Sequence, residues 1–451
     1  MLFRAWRLVA PLLAVSLLLV AECRPLQAGD IPVPLTDEFD VPDQFDENQW
    51  LPHVSFSRSG RFAVTWTDAT NIKVRQYTGN GEPIGGEILV NQTTIGNQNE
   101  PRVAYIGGAE LIVAWTDYNG ADGAALGALA QRVNAQGQRT GPEFIVSETT
   151  EGSQWAPQVV VNERSGRMVF MWVDSIPGDG SNAGVFARLF DQEGNPLSGE
   201  FLVNQTITAA QVSPSIAMFE DASFVCAWQD RSGQDGSGSR VCARLYAPNG
   251  TPRTNEIQVN QSSFANQETP WVCAHDDFSF TVGFTDQGGA DGSGSGVFFR
   301  RFDRHGLPLS DEIRASERTL GDQGFLRVAT DGSQSLLATW ADFSGIDGSG
   351  AGVYTRAFTI EGVPLGPDVL VNQTTASTQF RPSVAMGDSE HAVIVWEDQG
   401  GADGDGFGVY GRRWFVEEAA AVPAASAIAL VALALALAAA GWLCIRSAGR
   451  S

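Results

Sequence analysis

Seven copies of one hydrophobic and polar pattern run along this chain. Each copy begins with P-x-V-A, continues through an apolar run that ends in W-x-D, and then enters a Gly- and Asp-rich stretch. V-x-x-R and G-x-P-L-x-x-E-x-x-V-N-Q follow, and Q-x-x-P leads into the next copy. The copies start at Pro52, Pro101, Pro157, Pro214, Pro270, Leu326 and Pro382. A regular period of this kind is typical of proteins built from repeated structural units.

Each copy carries four short apolar segments separated by turn residues, which predicts four β-strands. In the fourth copy these segments are residues 215–218, 224–228, 241–246 and 255–260. The second segment is apolar at consecutive positions, which predicts a strand buried on both faces. Four-stranded units packed face to face, repeated seven times, predict an all-β, seven-bladed β-propeller over residues 31–417.

The order of the repeat parts predicts that the propeller is a closed ring. The seventh copy stops after Phe415 without its last quarter, and that quarter stands before the first copy. The segment from Pro34 to Pro52 is as long as its counterpart from Pro83 to Pro101. Residues 31–51 are therefore expected to supply the outer strand of the last blade, which leaves no open edge between the chain ends. This closure resembles that of WD-repeat propellers, although the repeat motif differs.

Large aromatic residues and Gln recur at fixed positions. The aromatic position at the end of the second strand, which predicts packing between blades, is Trp66, Trp115, Trp172, Trp228, Phe284, Trp340 and Trp396. A Gln three residues before each start is expected to hydrogen-bond the backbone of the inter-blade turn, from Gln49 to Gln379.

Charged residues also recur, and they predict a structural ion-pair clamp within each blade, since a buried Arg needs a partner. The third strand carries Arg75, Arg132, Arg188, Arg244, Arg300, Arg356 and Arg412. Each of these arginines is expected to pair with the Asp of W-x-D and with an acidic residue on the fourth strand. The fourth-strand residues are Glu38, Glu87, Glu143, Glu200, Glu256, Glu312 and Asp368.

The loop between the second and third strands is the strongest functional candidate in the sequence. Six copies read D-x-x-x-x-D-G, whereas the first copy lacks this loop. The pairs are Asp117 and Asp122, Asp174 and Asp179, Asp230 and Asp235, Asp286 and Asp291, Asp342 and Asp347, and Asp398 and Asp403. Two carboxylates and a Gly-rich backbone offer oxygen ligands to Ca²⁺. The alternative is turn chemistry, in which Asp accepts backbone N–H groups and Gly supplies positive φ. Because consecutive strands of a blade run in opposite directions, these loops and the Q-x-x-P turns are expected on the same face of the propeller, which is then acidic.

Cysteine, histidine and asparagine give weaker signals. Cys226 and Cys242 lie on consecutive strands and allow a disulfide, while buried small residues are the alternative for them and for Cys273. His275, Asp276 and Asp277 break the repeat, and a turn between the first and second strands is expected there. Four N-Q-T/S triplets match glycosylation sequons, although turns at strand ends explain them equally well: Asn91, Asn204, Asn260 and Asn372.

Composition and the chain ends indicate export. The formal net charge is −23, and Lys73 is the single lysine, which argues against nucleic-acid binding. Residues 1–28 have the pattern of a signal peptide. Residues 418–445 are expected to form one transmembrane helix or a sorting signal, since the run between Glu418 and Arg446 is uncharged and long enough to span a membrane, and the basic tail 446–451 follows it. The run also resembles the bacterial PEP-CTERM type of sorting signal, but Val422-Pro423-Ala424 stands in place of Pro-Glu-Pro.

The repeat resembles one found in secreted and surface proteins of bacteria, V-A-x-x-x-x-G-x-F-V-V-x-W-x-D-x-x-G-x-D-G-x-G-x-G-V-x-x-R-x-F. The resemblance covers about residues 31–415 and implies export and a propeller, but no reaction. The expected function is therefore an exported, membrane-anchored binding or adhesion propeller that recognises a surface glycan or protein, with Ca²⁺ as the candidate cofactor. A structural surface-layer component and a propeller-fold glycan hydrolase are the alternatives. An enzyme is not expected, since the carboxylates repeat with the blades.

Overall fold

The structure is a computed structural model that describes residues 32–44, 47–120, 123, 126–175, 182–236, 238–387, 391–401 and 406–416. Within these residues the chain forms 29 strands and no helix. The strands make seven sheets, which are the seven predicted blades. The predicted signal peptide, membrane span and basic tail lie outside the described residues. Among the described residues, no helix is long and apolar enough to cross a membrane.

The strands run from the innermost to the outermost position in each blade. Two short strands come first, β1 (Val33–Pro34) and β2 (Phe39–Asp40). The later strands are β3 (Gln49–Phe56), β4 (Phe62–Asp68), β5 (Asn71–Tyr77) and β6 (Pro83–Leu89) in blade 1; β7 (Gln98–Gly107), β8 (Glu110–Asp117), β9 (Gly127–Val133) and β10 (Arg139–Ile145) in blade 2; β11 (Gln154–Asn162), β12 (Arg167–Asp174), β13 (Gly184–Phe190) and β14 (Phe201–Leu202) in blade 3; β15 (Gln211–Met218), β16 (Phe224–Asp230), β17 (Arg240–Tyr246) and β18 (Ile257–Gln258) in blade 4; β19 (Gln267–Ala274), β20 (Phe280–Asp286), β21 (Gly296–Phe302) and β22 (Ile313–Arg314) in blade 5; β23 (Gln323–Thr330), β24 (Ser335–Asp342), β25 (Gly352–Thr359) and β26 (Val369–Leu370) in blade 6; and β27 (Gln379–Met386), β28 (His391–Asp398) and β29 (Gly408–Phe415) in blade 7.

The ring is closed by the N-terminal segment, as the repeat order predicts. The first strands of neighbouring blades contact each other around the whole ring, including β27 with β3. Strand β29 pairs antiparallel with both β1 and β2, through Val33 opposite Phe415 and Phe39 opposite Gly411. Residues near the two ends of the propeller therefore share one sheet, and β1 and β2 cover the edge of β29 that would otherwise be unpaired.

The second strands are buried on both faces, as predicted. All seven aromatic residues at the predicted position have 0% exposure. Trp228 shares an apolar cluster with Val169 and Met171 of blade 3, so these rings pack between blades. The cysteines of the propeller are buried and unpaired. In the register of β16 and β17, Cys226 stands opposite Arg244 and Cys242 opposite Trp228, which leaves no cross-strand cysteine pair.

The predicted ion-pair clamp is largely wrong. Arg244 donates from Nε to the carbonyl of Thr254 at 3.0 Å and from Nη1 to the carbonyl of Val203 in blade 3 at 2.9 Å, and it stacks on Tyr246. Four more of these arginines donate in the same way to the carbonyls of Ser198, Ser310, Gly366 and Thr36. Only Arg356 is paired with the fourth-strand acid of its own blade among the described residues, at 4.0 Å from Asp368.

The distance along the strand explains why the W-x-D carboxylate is not the partner. Asp230 is opposite Arg240, whereas Arg244 is opposite Cys226, which lies four residues before Asp230 on β16. At about 3.3 Å per residue, this separates the two positions by roughly 13 Å. The arginines therefore tie strands and neighbouring blades together through backbone carbonyls.

The fourth-strand carboxylates connect each blade to the one before it. Glu256 accepts hydrogen bonds from the backbone N–H of Thr206 at 2.8 Å and from its hydroxyl at 2.7 Å. The same backbone contact joins Glu143 to Thr93, Glu200 to Thr149, Glu312 to Ser262, Asp368 to Arg318, Glu38 to Thr374 and Glu87 to Gln44. These contacts, which we call the blade clasps, occur at all seven blade boundaries.

The four sequon asparagines belong to the fold. Asn260 accepts a hydrogen bond from the N–H of Val241 at 2.9 Å and donates to Gln267 at 3.0 Å. Asn91, Asn204 and Asn372 accept the equivalent bonds. None of the four is more than 2% exposed, so their side chains are closed to modification in the folded protein. The interpretation of the triplets as turns at strand ends is confirmed.

Candidate functional site

The Asp-containing loops and the Q-x-x-P turns lie together on one side of the ring, which we call the Asp face. Gln211, at the start of β15, donates from Nε2 to the carboxylate of Asp230 at 3.2 Å and to the carbonyl of Thr208 at 3.1 Å. The Gln-to-Asp bond recurs for Gln98 with Asp117, Gln154 with Asp174, Gln267 with Asp286 and Gln379 with Asp398. The predicted bond from each Gln to the inter-blade turn and the shared face are confirmed.

The first Asp of each loop has a structural role. All six are 2% exposed or less: Asp117, Asp174, Asp230, Asp286, Asp342 and Asp398. The carboxylate of Asp286 also accepts the N–H of Gly288, two residues further on, at 2.7 Å, and Asp342 accepts that of Ser344 at 2.8 Å. This is the Asx-turn geometry of the turn alternative.

The second Asp of the loop differs between blades. Asp235 accepts a hydrogen bond from Asn260 at 3.1 Å, whereas Asp291 and Asp347 accept the N–H of the residue two positions further on, Ser293 at 3.1 Å and Ser349 at 3.3 Å. The buried Oδ2 atom of Asp291 in blade 5 and those of Asp342 and Asp347 in blade 6 have no hydrogen-bond partner within the described chain, so blade 6 is the described loop in which both carboxylates have such an atom. Asp122, Asp179 and Asp403 lie outside the described residues. No group of three His, Cys, Asp or Glu side chains in the described ranges is arranged to hold a metal ion.

A cavity of about 610 Å³ opens on the Asp face where blade 1 lacks the loop. In blade 1 only Ala69 and Thr70 connect the second and third strands, so neighbouring residues remain uncovered. We call this cavity the blade-1 pocket; it is lined by Glu47, Asn48, Trp50, Ala69, Thr70, Asn97, Gln98, Asn99 and Tyr118. Blade 1, the one blade whose sequence lacks the loop, therefore carries this cavity, which is larger than the second cavity described below.

Hydrogen bonds hold the blade-1 pocket in shape. The indole Nε1 of Trp50 donates to Oδ1 of Asn99 at 3.2 Å, and that oxygen also accepts the hydroxyl of Thr67 at 2.9 Å and the N–H of Glu100 at 3.0 Å. Tyr118 leaves 43% of its surface exposed. Partial burial, with Glu100 nearby, raises the pKa of the Tyr118 phenol, which therefore keeps its proton as a hydrogen-bond donor at neutral pH. The pocket thus combines two aromatic rings with amide groups.

The first strand of every blade contains a β-bulge just before the repeat start. At each bulge one residue has positive φ, between 48° and 58°: Leu51, Glu100, Ala156, Ser213, Thr269, Phe325 and Arg381. The pairing register shifts at the same positions, for example between Trp50 and His53. A left-handed residue other than Gly costs roughly 1 kcal/mol, so a seven-fold ring of them is a feature that the surrounding structure must stabilise.

The bulges surround a cavity of about 220 Å³ on the propeller axis, which we call the axial pocket. It is lined by the seven bulge residues, by four of the starting prolines and by the residue after the start in six blades: His53, Arg102, Gln158, Trp271, Arg327 and Ser383. Arg327 lies over the ring of Trp271, with its Cζ 4.5 Å from the ring centroid, and Arg102 lies 6.0 Å from the same ring. Burial, together with Arg102 and Arg327, lowers the pKa of His53 well below its usual value, so this imidazole is neutral.

Two carboxylates near the axis are engaged by backbone groups of the bulges. Glu100 accepts the N–H of Ala156 at 3.1 Å and the hydroxyl of Thr116 at 2.9 Å. Glu397 accepts the N–H of Leu51 at 3.2 Å and pairs with Arg381 at 3.4 Å. Burial raises the pKa of Glu397. Both carboxylates therefore hold the N–H of a left-handed residue in the next blade.

The sequence analysis missed the axial residues. The repeat-breaking residues recognised from the sequence, His275, Asp276 and Asp277, form the turn between β19 and β20, as predicted. The sequence did contain a sign of these axial residues. At the two positions that flank the repeat start, the seven copies carry unlike residues. A bulge changes which side chains face inward, and alternation along a strand does not reveal it.

The chain matches no protein-family model. It also matches no curated protein. A solved protein of unknown function from Dyadobacter fermentans DSM 18053 has a similar fold, with a TM-score of 0.50 at 9% identity over 86% of this chain and 99% of that chain. The α-L-arabinofuranosidase Arb93A from Fusarium graminearum has a TM-score of 0.46 at 9% identity, over 84% and 97%. An α-L-arabinanase from Penicillium chrysogenum also has 0.46, at 12% identity over 68% and 94%. Such identities show the fold alone, and the expectation that the chain is not an enzyme gains no support from them.

Proposed function

We propose that this chain is an exported, surface-anchored binding propeller whose ligand is a glycan held in the blade-1 pocket. The observation that carries the proposal is the open, polar pocket with two aromatic rings at the one place where a loop is missing. Export and anchoring rest on the sequence patterns of residues 1–28 and 418–451.

The lining of the blade-1 pocket matches the chemistry of sugars. A pyranose ring has apolar C–H faces that pack on aromatic rings, and hydroxyls that bond to amides and carboxylates. Trp50 and Tyr118 supply amphipathic rings with polar tips. Asn48, Asn97 and Glu47 supply the polar groups at the rim. The net charge of −23 disfavours a polyanionic glycan through repulsion, so the preferred ligand is a neutral or amino sugar.

The hydrolase alternative has one supporting observation, which is the presence of unlike carboxylates near the axis. Glu100 lines the axial pocket and Glu397 pairs with Arg381 beside it. Both carboxylates already accept backbone hydrogen bonds, which favours a structural role for them. A surface-layer component without a ligand would need neither pocket.

Ca²⁺ binding by the Asp-containing loops remains part of the proposal for blade 6. The unpaired oxygens there, Oδ2 of Asp342 and of Asp347, are buried beside a Gly-rich turn, and the Ser344 hydroxyl is buried there without a partner within the described chain. Hard cations prefer such oxygen ligands. In blade 4, by contrast, Asp235 is hydrogen-bonded by Asn260, which favours turn chemistry.

The proposed function is tested with the full-length chain on a panel of immobilised neutral, amino and acidic oligosaccharides. In one variant residues 343–351 of blade 6 replace residues 69–70, which fills the blade-1 pocket with the missing loop. In the control variant the same residues replace 287–295 of blade 5, where a loop is already present. We expect the first variant to lose binding and the control to keep it. Equal binding by all three proteins would refute the pocket, and release of new reducing ends would favour the hydrolase.

A further inference from the structure

The residue after the repeat start has a common structural role in three blades. His53 accepts the N–H of Val103 in the next blade at 3.3 Å. Ser215 accepts the N–H of Val272 at 3.0 Å, and Ser383 accepts that of Val54 at 3.2 Å. The position thus calls for a hydrogen-bond acceptor that ties neighbouring first strands together.

Blades 2 and 6 place Arg at this position, although a guanidinium has no acceptor. Arg102 donates to Oε1 of Gln158 at 3.2 Å and to the carbonyl of Pro101 at 2.8 Å. Arg327 makes one hydrogen bond within the described residues, to the carbonyl of Leu326 at 2.9 Å. Neither Arg has an ion-pair partner in the described part of the chain, so the inter-blade role does not explain them.

The charges that face the axial pocket are predominantly positive. Arg102, Arg327 and Arg381 come from three different blades, and Glu100 is the one carboxylate among the lining residues. The remaining charged group nearby, Glu397, is paired with Arg381. Burial lowers the pKa of Arg327 to about 9, and the repulsion from Arg102 and Arg381 adds to this effect. Arg102 and Arg327 are therefore the two cations of this pocket without an ion-pair partner in the described part of the chain, and in a chain of net charge −23 their presence needs an explanation other than solubility.

Trp271 determines where the guanidinium of Arg327 lies. With the Cζ atom of Arg327 4.5 Å from its ring centroid, the indole face attracts the cation and limits its rotation. His53, with its ring centroid 6.0 Å from that of Trp271, packs against the same indole. The remaining N–H groups of Arg327 are thereby directed in a fixed arrangement, which suits bidentate recognition of an oxyanion.

We propose that the axial pocket binds an oxyanion, which is a carboxylate, sulfate or phosphate group, through the guanidinium groups of Arg327 and Arg102, with Trp271 as a positioning residue. The pocket volume of about 220 Å³ is several times the roughly 30 Å³ that one water occupies. It accommodates the anionic group of a larger ligand or a free anion. This site is independent of the blade-1 pocket and goes beyond the proposed function.

The test is calorimetric titration of the full-length chain with sodium glucuronate, sodium sulfate and sodium phosphate, at constant ionic strength set with sodium chloride. We expect saturable binding of at least one of the three, weakened tenfold or more by Arg327→Gln. The matched control is Arg304→Gln, because Arg304 also lies over an aromatic ring, Phe278 at 5.1 Å, but is exposed and does not line the axial pocket. The anion that binds identifies the source of the group.

No saturable binding by any of the three anions would overturn the proposal, as would an equal loss in Arg304→Gln. Arg327→Gln also removes an uncompensated charge, so we expect its melting temperature without anion to equal or exceed that of the wild type. If this variant does not fold, wild-type crystals soaked in selenate decide the matter. An anomalous peak within hydrogen-bond distance of Arg327 supports the site, and peaks at the surface alone contradict it.

Discussion

The carboxylate of Glu38 accepts a hydrogen bond from the backbone N–H of Gln373 at 2.7 Å, although the two residues are 335 positions apart. It also accepts the N–H of Thr374 at 3.2 Å. This is the blade clasp that Glu256 makes with Thr206 inside the ring. The boundary between blades 6 and 7, which the N-terminal segment completes, therefore has the same carboxylate-to-backbone hydrogen bonds as a boundary inside the ring.

We expect Glu38→Ala to lower the free energy of unfolding by about 2 kcal/mol, since it removes hydrogen bonds to a charged acceptor. Glu256→Ala is the matched control at an internal boundary and should cost about the same. Urea denaturation of the full-length chain measures both. An unchanged midpoint for Glu38→Ala beside a clear loss for Glu256→Ala would show that the ring is not closed through this segment.

Most of the fold follows from local patterns in the sequence. The blades are predicted by the consecutive apolar residues of the second strands and by the recurring aromatic residue at their ends. The closure of the ring is predicted by the order of the repeat parts, since the last quarter of the seventh copy stands before the first copy. The fourth strand is shorter than predicted, two residues in β18 against the expected 255–260. Glu256 and Thr254 bond to the neighbouring blade and to Arg244 instead of extending the ladder.

The functional candidates were harder to predict for two physical reasons. The partners of Arg244 and its equivalents are backbone carbonyls, which every residue carries and which no residue type reveals, so the sequence pattern indicated the acidic residues of the repeat as partners. The axial residues face the pocket because of the bulges, and a bulge has no fixed residue signature when Leu, Glu, Ala and Phe all adopt its positive φ. The missing loop of the first copy is visible in the sequence, but the blade-1 pocket beside it was not predicted.

Acidification should destabilise the propeller through His275. The imidazole is 3% exposed and hydrogen-bonded to Thr281 and Thr330. Burial, with Arg301 nearby, lowers its pKa from 6.5 to about 4. The unfolded chain therefore takes up a proton in this window before the folded chain does, and stability falls as the pH drops from about 6.5 to about 4.

The contribution of His275 between pH 7 and pH 5 is about 2 kcal/mol at 1.36 kcal/mol per pH unit. Chemical denaturation at both pH values should show a drop in wild type that is smaller by this amount in His275→Gln. His305→Gln changes an exposed histidine and serves as the control. A drop of equal size in wild type and His275→Gln would rule out this residue as the source.

Ca²⁺ should stabilise the protein through the blade-6 loop. At a hundredfold excess over Kd, one occupied site adds about 2.7 kcal/mol, which corresponds to a rise of a few degrees in Tm. We expect the rise to be lost in Asp347→Asn and retained in Asp235→Asn, whose side chain is already hydrogen-bonded by Asn260. Thermal melts with Ca²⁺ and with chelator measure it, and identical curves in the wild type would leave these loops with turn chemistry alone.

The most direct test of glycan binding compares two aromatic residues at the same position of the repeat. Tyr118 follows the W-x-D Asp in blade 2 and borders the blade-1 pocket, with 43% of its surface exposed. Phe343 follows the same Asp in blade 6, is 41% exposed and does not line this pocket. The measurement is the affinity of the full-length chain for the best-binding oligosaccharide in wild type, Tyr118→Ala and Phe343→Ala. The account predicts a loss of tenfold or more for Tyr118→Ala alone, and equal affinities in all three would contradict it.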